Sequence, residues 1–461
     1  MGKKIIFRVP DEEHILSAPP FIQLELTSGC TQKCRHCYNF WRKDHFVVEK
    51  ISKDQMDFLI EEFHKNRVMH VVLTGGEPLL NFDVLVYAIK ELTKRGISVS
   101  MNSNLALATP EIVKELKDAG LPHVLVSLDA SNAKLNDYLT STPGAFEKIT
   151  QGIKNTTDGG IRVSINMVIT QENIDDIYET AKLGRELRCQ RFNTTRTIPI
   201  LDASDPSQKP FLIDKESAKK MIDETLRVLE DMDYEFVSTM IPYPYCFLGD
   251  LDKYAPFLEK TSCVAGTKLL AINSNGDVHA CVHEANSYGN IFKKGLKDVW
   301  KNMQDWHTGK MFPDNCKVCP FFDECIAGCR IAAKAYFRDM SAEDNLRVGW
   351  KNITRPIDLK PTEKMYKIIE TEPLEVVQSL RYRKEDNFYY ITVFGAKGFI
   401  VENEVVDFLK EFKNKTFTLK EVGEDKKDML ALCYFYDLIQ STSRKEADKK
   451  KGNLKEFVKK D

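Results

Sequence analysis

At 461 residues the chain exceeds what one ordinary hydrophobic core organises, so two or three domains are expected. Apolar residues at 43% and charged residues at 29% are the proportions of a water-soluble globular protein, and a net charge of −2 excludes a general attraction to nucleic acid or to anionic membrane. The opening "MGKKIIFRVPDEEH" meets acids before any useful apolar run, and no stretch approaches the roughly 18 apolar residues of a membrane span. A cytoplasmic location, without membrane or nucleic-acid partner, is expected. Twelve cysteines in that reducing compartment point to metal or redox chemistry over disulfides.

In chain order, an N-terminal extension (1–20) precedes a run of alternating strand and helix patterns from 21 to 237. Six β-branched segments read as buried strands: 21–27, 70–75, 97–104, 123–130, 161–170 and 191–198. Helical stretches at 53–65, 81–96 and 109–120 lie between them, the last with Thr-Pro at its start and Gly120 at its stop. Such βα repeats predict an α/β fold whose parallel sheet curls into a partial barrel, with functional loops after the strands' C-terminal ends. Regularity fades from 238 to 355 while cysteine density rises. Residues 356–442 then have the outline of a small winged-helix α+β domain, with strands at 387–394 and 397–403 and helices at 403–414 and 426–440. A basic tail (443–461) carries eight Lys/Arg against four acids.

Cys30, Cys34 and Cys37, spaced C-x3-C-x2-C, fall in the loop after the first strand. A structural zinc site normally takes four protein ligands. Three thiolates leave one position open, which suits an iron–sulfur cluster whose fourth iron binds something else. Zinc stays open on this loop alone.

The C-x3-C-x2-C loop followed by Tyr38, the "GGEP" of Gly75–Pro78 ending strand two, "SLDA" ending strand four and "RVSINMVITQEN" along strand five together resemble the radical S-adenosylmethionine (SAM) enzymes. The resemblance implies a partial (β/α)6 barrel and a catalytic [4Fe–4S] cluster on Cys30, Cys34 and Cys37. It implies SAM bound by that cluster and by Gly75, Gly76 and Glu77, and a 5′-deoxyadenosyl radical that takes hydrogen from a substrate. Asn102, Asp129, Ser164, Asn166 and Arg196 are further candidates for the SAM or substrate pocket, or else hydrogen-bond partners within the barrel. His36 reads as a loop side chain rather than a ligand. No catalytic base is identified.

Further on, Cys263-x12-Gly276-x4-Cys281, then Cys316-x2-Cys319-x5-Cys325-x3-Cys329, with "YGNIFKKGLKDVW" (288–300) between them, resembles the SPASM extension of those enzymes. It implies two auxiliary [4Fe–4S] clusters, the first on Cys263, Cys281 and Cys329 with Cys246 as upstream candidate, the second on Cys316, Cys319 and Cys325. The family's later cysteine is missing, leaving Asp339, Asp344, water or an open iron for the second. Cys189 and Cys433 read as ordinary buried thiols.

The C-terminal segment resembles a PqqD-like recognition element, which takes up a leader peptide as an added edge strand. The expected function is a peptide maturase that forms a C–C or thioether crosslink, or another C–H modification, in a ribosomally made precursor peptide, with a flavodoxin- or ferredoxin-type electron donor. A sulfatase-maturing, formylglycine-forming enzyme is the alternative. Against it, Val282 follows Cys281 where that group has Asp, although His283 and Glu284 are near enough to supply a base. An iron–sulfur scaffold without SAM chemistry is the other.

Overall fold

The structure is a computed structural model that describes residues 6–7, 14–39, 48–199, 203–258, 263–356, 360–394 and 397–443. All of the basic tail but its first residue therefore lies outside the described residues. Contacts divide the chain into two units, Ala18–Arg355 and a second made of Met1–Ser17 with Pro356–Asp461.

The larger unit is built on one nine-stranded sheet. Its strands are β1 (Phe21–Glu25), β2 (His70–Thr74), β3 (Ser98–Ser103), β4 (His123–Ser127), β5 (Arg162–Ile169), β6 (Arg191–Arg196), β7 (Phe236–Thr239), β8 (Leu269–Ile272) and β9 (Val278–His279). Their spatial order is β9-β8-β1-β2-β3-β4-β5-β6-β7, all parallel except the closing β8–β9 hairpin. The six expected strands form, each within a few residues of its expected ends. Two features were not expected: β7 extends the sheet past the sixth strand, and β8, from the cysteine-rich region, pairs with β1 in register Phe21↔Leu269. β8 is a run of four buried apolar residues, too short for periodicity to separate it from its irregular surroundings.

Helices α1 (Lys53–Lys65), α2 (Phe82–Lys94), α3 (Pro110–Asp118), α4 (Ala133–Thr140), α5 (Ala145–Asp158), α6 (Ile177–Glu186) and α7 (Lys215–Asp231) form the crossovers. Local chemistry sets their ends. Ser52 and Gln55 make a reciprocal capping box on α1, and the Thr109 side chain accepts the Ile112 N–H on α3. Their inner faces bury Leu59, Phe63, Leu85, Ile89, Val113 and Ile153 against Leu24, Val71, Leu73 and Val126, each worth about 1.5–3 kcal/mol in apolar burial. No described helix is long and apolar enough to cross a membrane.

In the second unit, Arg381–Lys384, Tyr389–Phe394 and Lys397–Val401 form an antiparallel meander, and the extended pair Ile6–Phe7 adds beside Lys397–Val401. The helix expected at 426–440 ends at Phe435. Asp437 turns left-handed at φ +56°, and Ile439–Ser441 becomes a strand beside Leu374–Val376. The aromatic run hid that turn because it is apolar on both sides of it.

At the N-terminal end of the barrel, His123 Nε2 bonds Ser164 Oγ at 2.6 Å. Burial, with Arg191 and Arg162 nearby, pushes this imidazole down to about 4 from 6.5. As pH falls the unfolded chain is protonated here first, so the site's contribution is whole above about pH 6.5 and lost on the way to about pH 4. At 1.36 kcal/mol per unit the loss is about 3 kcal/mol. His123→Gln should flatten urea-unfolding stability across that window.

Candidate active site and cysteine centres

The loop after β1 is pinned from outside. Lys33 and Arg35 donate backbone N–H bonds to Thr140 and Leu139 oxygens at 3.1 and 2.9 Å, and Arg35 Nε bonds Tyr138 O at 2.8 Å. These acceptors are the last carbonyls of α4, which have no partner within the helix. From the barrel side, His36 Nε2 meets Asp129 Oδ2 at 3.3 Å while Asp129 Oδ1 accepts the Val168 N–H at 2.9 Å. His36 and Asp129 thus tie the loop to β4 and β5. Cys30, Cys34 and Cys37 remain partly exposed, with Gln32 N–H 3.4 Å from Cys30 Sγ, a donor suited to a sulfur carrying negative charge.

Directly beneath, Gly76 donates to Thr27 O at 2.7 Å and Glu77 to Gly29 O at 2.8 Å. A Cβ on Gly76 would stand 2.1 Å from Gly29 O, and one on Gly75 would stand 2.6 Å from Thr27 O. The glycine pair therefore admits the cysteine loop's own backbone, a closer partner than the ligand that the pattern alone suggested. Glu77 is fully buried. It accepts from Ser103 Oγ (2.7 Å), Leu79 N (3.1 Å) and Asn104 N (2.9 Å), and burial pushes its carboxyl up to about 6. Asn104 in turn bonds Thr31 Oγ1 at 3.0 Å. Sequence reasoning missed Asn104; its only signal was its place just past a strand's C-terminal end.

The other candidates scatter. Asn102 is half-buried on β3, and Asn166 accepts from Thr195 Oγ1 at 2.6 Å. Ser164 is near the N-terminal end of β5, bonded to His123 and away from the cysteine loop. Arg196 is buried at the end of β6, where it forms a two-pronged pair with Asp344 (3.2 and 2.6 Å) and stacks on Tyr243 at 5.2 Å.

Cys263, Cys281 and Cys329 lie within one another's electrostatic reach, buried enough that Cys263 is pushed up to about 11. Asp344 Oδ2 accepts the Cys329 N–H at 2.7 Å, and Oδ1 accepts that of Leu346 at 2.9 Å. With Arg196 these bonds occupy both of its oxygens, so Asp344 is engaged beside Cys329. Asp339 is spent on Ser341 at 2.8 Å. His283 Nδ1 is 3.6 Å from Cys281 Sγ and its ring 4.8 Å from that of Tyr38, which brings this group up against the first loop. Glu284, pushed up to about 7 by burial, accepts from Ala280 N and Tyr288 Oη, both at 3.1 Å. Glu284 is thus committed to Ala280 and Tyr288, while His283 lies against Cys281.

Cys246 is not with this group. It sits beside Cys316 and Cys325, and Tyr245 N–H reaches Cys325 Sγ at 3.3 Å. Cys189 and Cys433 are buried among apolar side chains, Cys433 in the second unit. Among the described residues no three His, Cys, Asp or Glu side chains converge as ligands of a single metal ion do. Thiols crowded until each opposes its neighbour's ionisation suit a larger cationic group set between them.

Two substitutions test this framework by urea unfolding. Gly76→Ala should cost about 3 kcal/mol by forcing β2 off the cysteine loop. Asp344→Ala should cost about 3–5 kcal/mol by stranding the Arg196 guanidinium, and the double variant Arg196→Met/Asp344→Leu should recover much of that loss.

Residues 24–184 match the radical SAM superfamily and residues 263–320 an iron–sulfur cluster-binding domain, SPASM. The chain is 26% identical over 341 residues to an AdoMet-dependent heme synthase of Methanosarcina barkeri, covering 71% of this chain and 96% of that protein. It is 28% identical over 341 residues to the mycofactocin maturase MftC of Mycolicibacterium smegmatis, covering 70% and 81%. Its fold is similar to that of Streptococcus suis SuiB bound to S-adenosylmethionine, with a TM-score of 0.58 at 21% identity over 72% of this chain and 78% of the other; SuiB has also been solved with its precursor peptide SuiA. The cysteine loop, the barrel and the second cysteine region agree with both family matches: the chain carries a radical SAM domain, which implies S-adenosylmethionine with a [4Fe–4S] cluster, and a SPASM domain, which implies auxiliary iron–sulfur clusters.

Proposed function

We infer that the protein is a maturase of a ribosomally made peptide. The observation that carries this reading is the second unit. The heme synthase relative is matched over 96% of its length by 71% of this chain, so more than a quarter of this chain has no counterpart in it. That unit holds an antiparallel sheet to which an extended segment, Ile6–Phe7, is already added as an edge strand. Strand addition is how recognition domains of this outline take up leader peptides, and residues 356–442 are assigned that role. MftC, a mycofactocin maturase, and SuiB, solved bound to the precursor peptide SuiA, support the same substrate class.

Cys30, Cys34 and Cys37 would hold the catalytic cluster, with SAM beside the Gly75–Glu77 turn. Held there, the cluster and SAM would together supply radical chemistry able to remove a hydrogen atom from the peptide. The chain's own part is geometric. α4 and the His36–Asp129 pair hold the loop still, and Glu77 with Asn104 fixes the strand end beneath it. The enclosing barrel limits access of water and stray hydrogen donors. A flavodoxin- or ferredoxin-type protein would supply electrons.

The heme synthase likeness favours a second reading, a porphyrin-type substrate. One assay separates them: anaerobic incubation with SAM, a reductant and either a precursor peptide encoded beside the gene or a porphyrin. Loss of paired hydrogens from the peptide, dependent on its leader segment, is the expected result. An altered porphyrin with an unchanged peptide would overturn the maturase reading.

A further inference from the structure

The seven cysteines from 246 to 329 fall into two neighbourhoods. Cys246 is buried in the one-turn helix Tyr245–Leu248, whose first residue donates its N–H to Cys325 Sγ at 3.3 Å. Asn352 Nδ2 holds the Cys246 carbonyl at 2.9 Å, fixing that turn. Arg347 bonds Cys316 and lies in the field of Cys246, so one guanidinium marks both thiols. Cys319 joins them through the C-x2-C turn, its N–H on Cys316 O at 2.9 Å. Cys246 and Cys316 both lie within electrostatic reach of Cys325. Cys263, Cys281 and Cys329 form the other neighbourhood, backed by Arg196 and Asp344.

We propose that Cys246 is the fourth thiolate of the Cys316, Cys319 and Cys325 cluster, and that the Cys263, Cys281 and Cys329 cluster keeps a fourth position that no cysteine fills. The inference rests on these cysteines being iron–sulfur ligands. Every other thiol is accounted for: three lie in the first loop, Cys189 is buried in the barrel and Cys433 in the second unit. The carboxylates that could replace a late cysteine are engaged elsewhere, Asp339 on Ser341 and Asp344 on Arg196, Cys329 and Leu346. Cys246, from before the motif, thus takes the place of a cysteine that the usual pattern supplies after it. The cluster with the exchangeable position is the one beside the first loop, through the Cys281–His283–Tyr38 contacts. Its ligand class is a soft or anionic donor: a thiolate, a carboxylate or hydroxide.

The test uses full-length protein, reconstituted anaerobically, with Cys30, Cys34 and Cys37 replaced by Ala so that only auxiliary clusters remain. Iron and sulfide content and the reduced-state EPR spectrum are compared for added Cys246→Ala, Cys316→Ala and Cys281→Ala. Cys246→Ala and Cys316→Ala should alter the same EPR component and spare the one that Cys281→Ala alters. Carbon-13 cyanide should couple only to the Cys281-dependent component before Cys246 is replaced. Loss of the Cys281-dependent component in Cys246→Ala, or cyanide coupling to the Cys316-dependent one in the parent, would overturn the assignment. Should Cys246→Ala not fold, Cys246→Ser, which keeps volume and an oxygen donor, should retain the iron and shift only the Cys316-dependent component. A shift of the other component would overturn it. A parent protein that binds no auxiliary iron would instead overturn the reading of these cysteines as cluster ligands.

Discussion

A fully buried ion pair joins the catalytic barrel to the cysteine-rich region. Arg196 ends the sixth strand and Asp344 lies 148 residues later, yet their side chains are 3% and 0% exposed and meet in a two-pronged contact. Removing both charges from water costs several kcal/mol per ion, so the pair is weak as a source of net stability. Its value is positional. Asp344 carries the Cys329 and Leu346 amides on the same carboxylate, and Arg196 lies over Tyr243, three residues before Cys246. Both auxiliary neighbourhoods are therefore indexed to the end of one barrel strand. Arg330 closes the arrangement by binding the carbonyls of Ala327, Met340 and Ala342, which fixes the loop that delivers Asp344.

The first cysteine loop obeys the same logic with weaker bonds. Three thiols in eight residues leave little backbone for internal hydrogen bonding, so the loop borrows partners: carbonyls from α4, a carboxylate from the end of β4, and N–H groups from the Gly76–Glu77 turn. Glu77 holds the next strand end in place, and the stack is close enough that a single methyl group would not fit at Gly76. Tyr38 then carries the contact across to His283 and Cys281. The side chains that join the two cysteine regions have assigned partners, which limits how far either region shifts on its own.

Much of this was legible in the sequence, for reasons that are local. Strands buried on both faces are continuous apolar runs, helices carry caps such as Thr109-Pro110, and cysteine spacing survives any change of surroundings. What stayed hidden depends on distant partners. Nothing near Cys246 tells which thiols it faces, and Asp344 resembles any ligand candidate until its bonds to Arg196 are seen. Gly76 was legible as a close approach, but not to what. β8 was hidden because four residues cannot display a period, and the Asp437 turn because apolar residues flank it on both sides.

The α4 carbonyls that hold the cysteine loop have a consequence for biogenesis. The loop occupies residues 30–37, but its backbone acceptors belong to Tyr138, Leu139 and Thr140. During synthesis the three cysteines leave the ribosome long before the groups that order them, and for that interval they are reactive, unstructured thiols. A cluster delivered early would meet a flexible peptide; one delivered after α4 docks meets a preformed cradle. The fold itself thus sets a schedule, in which metal loading follows closure of the first four strands.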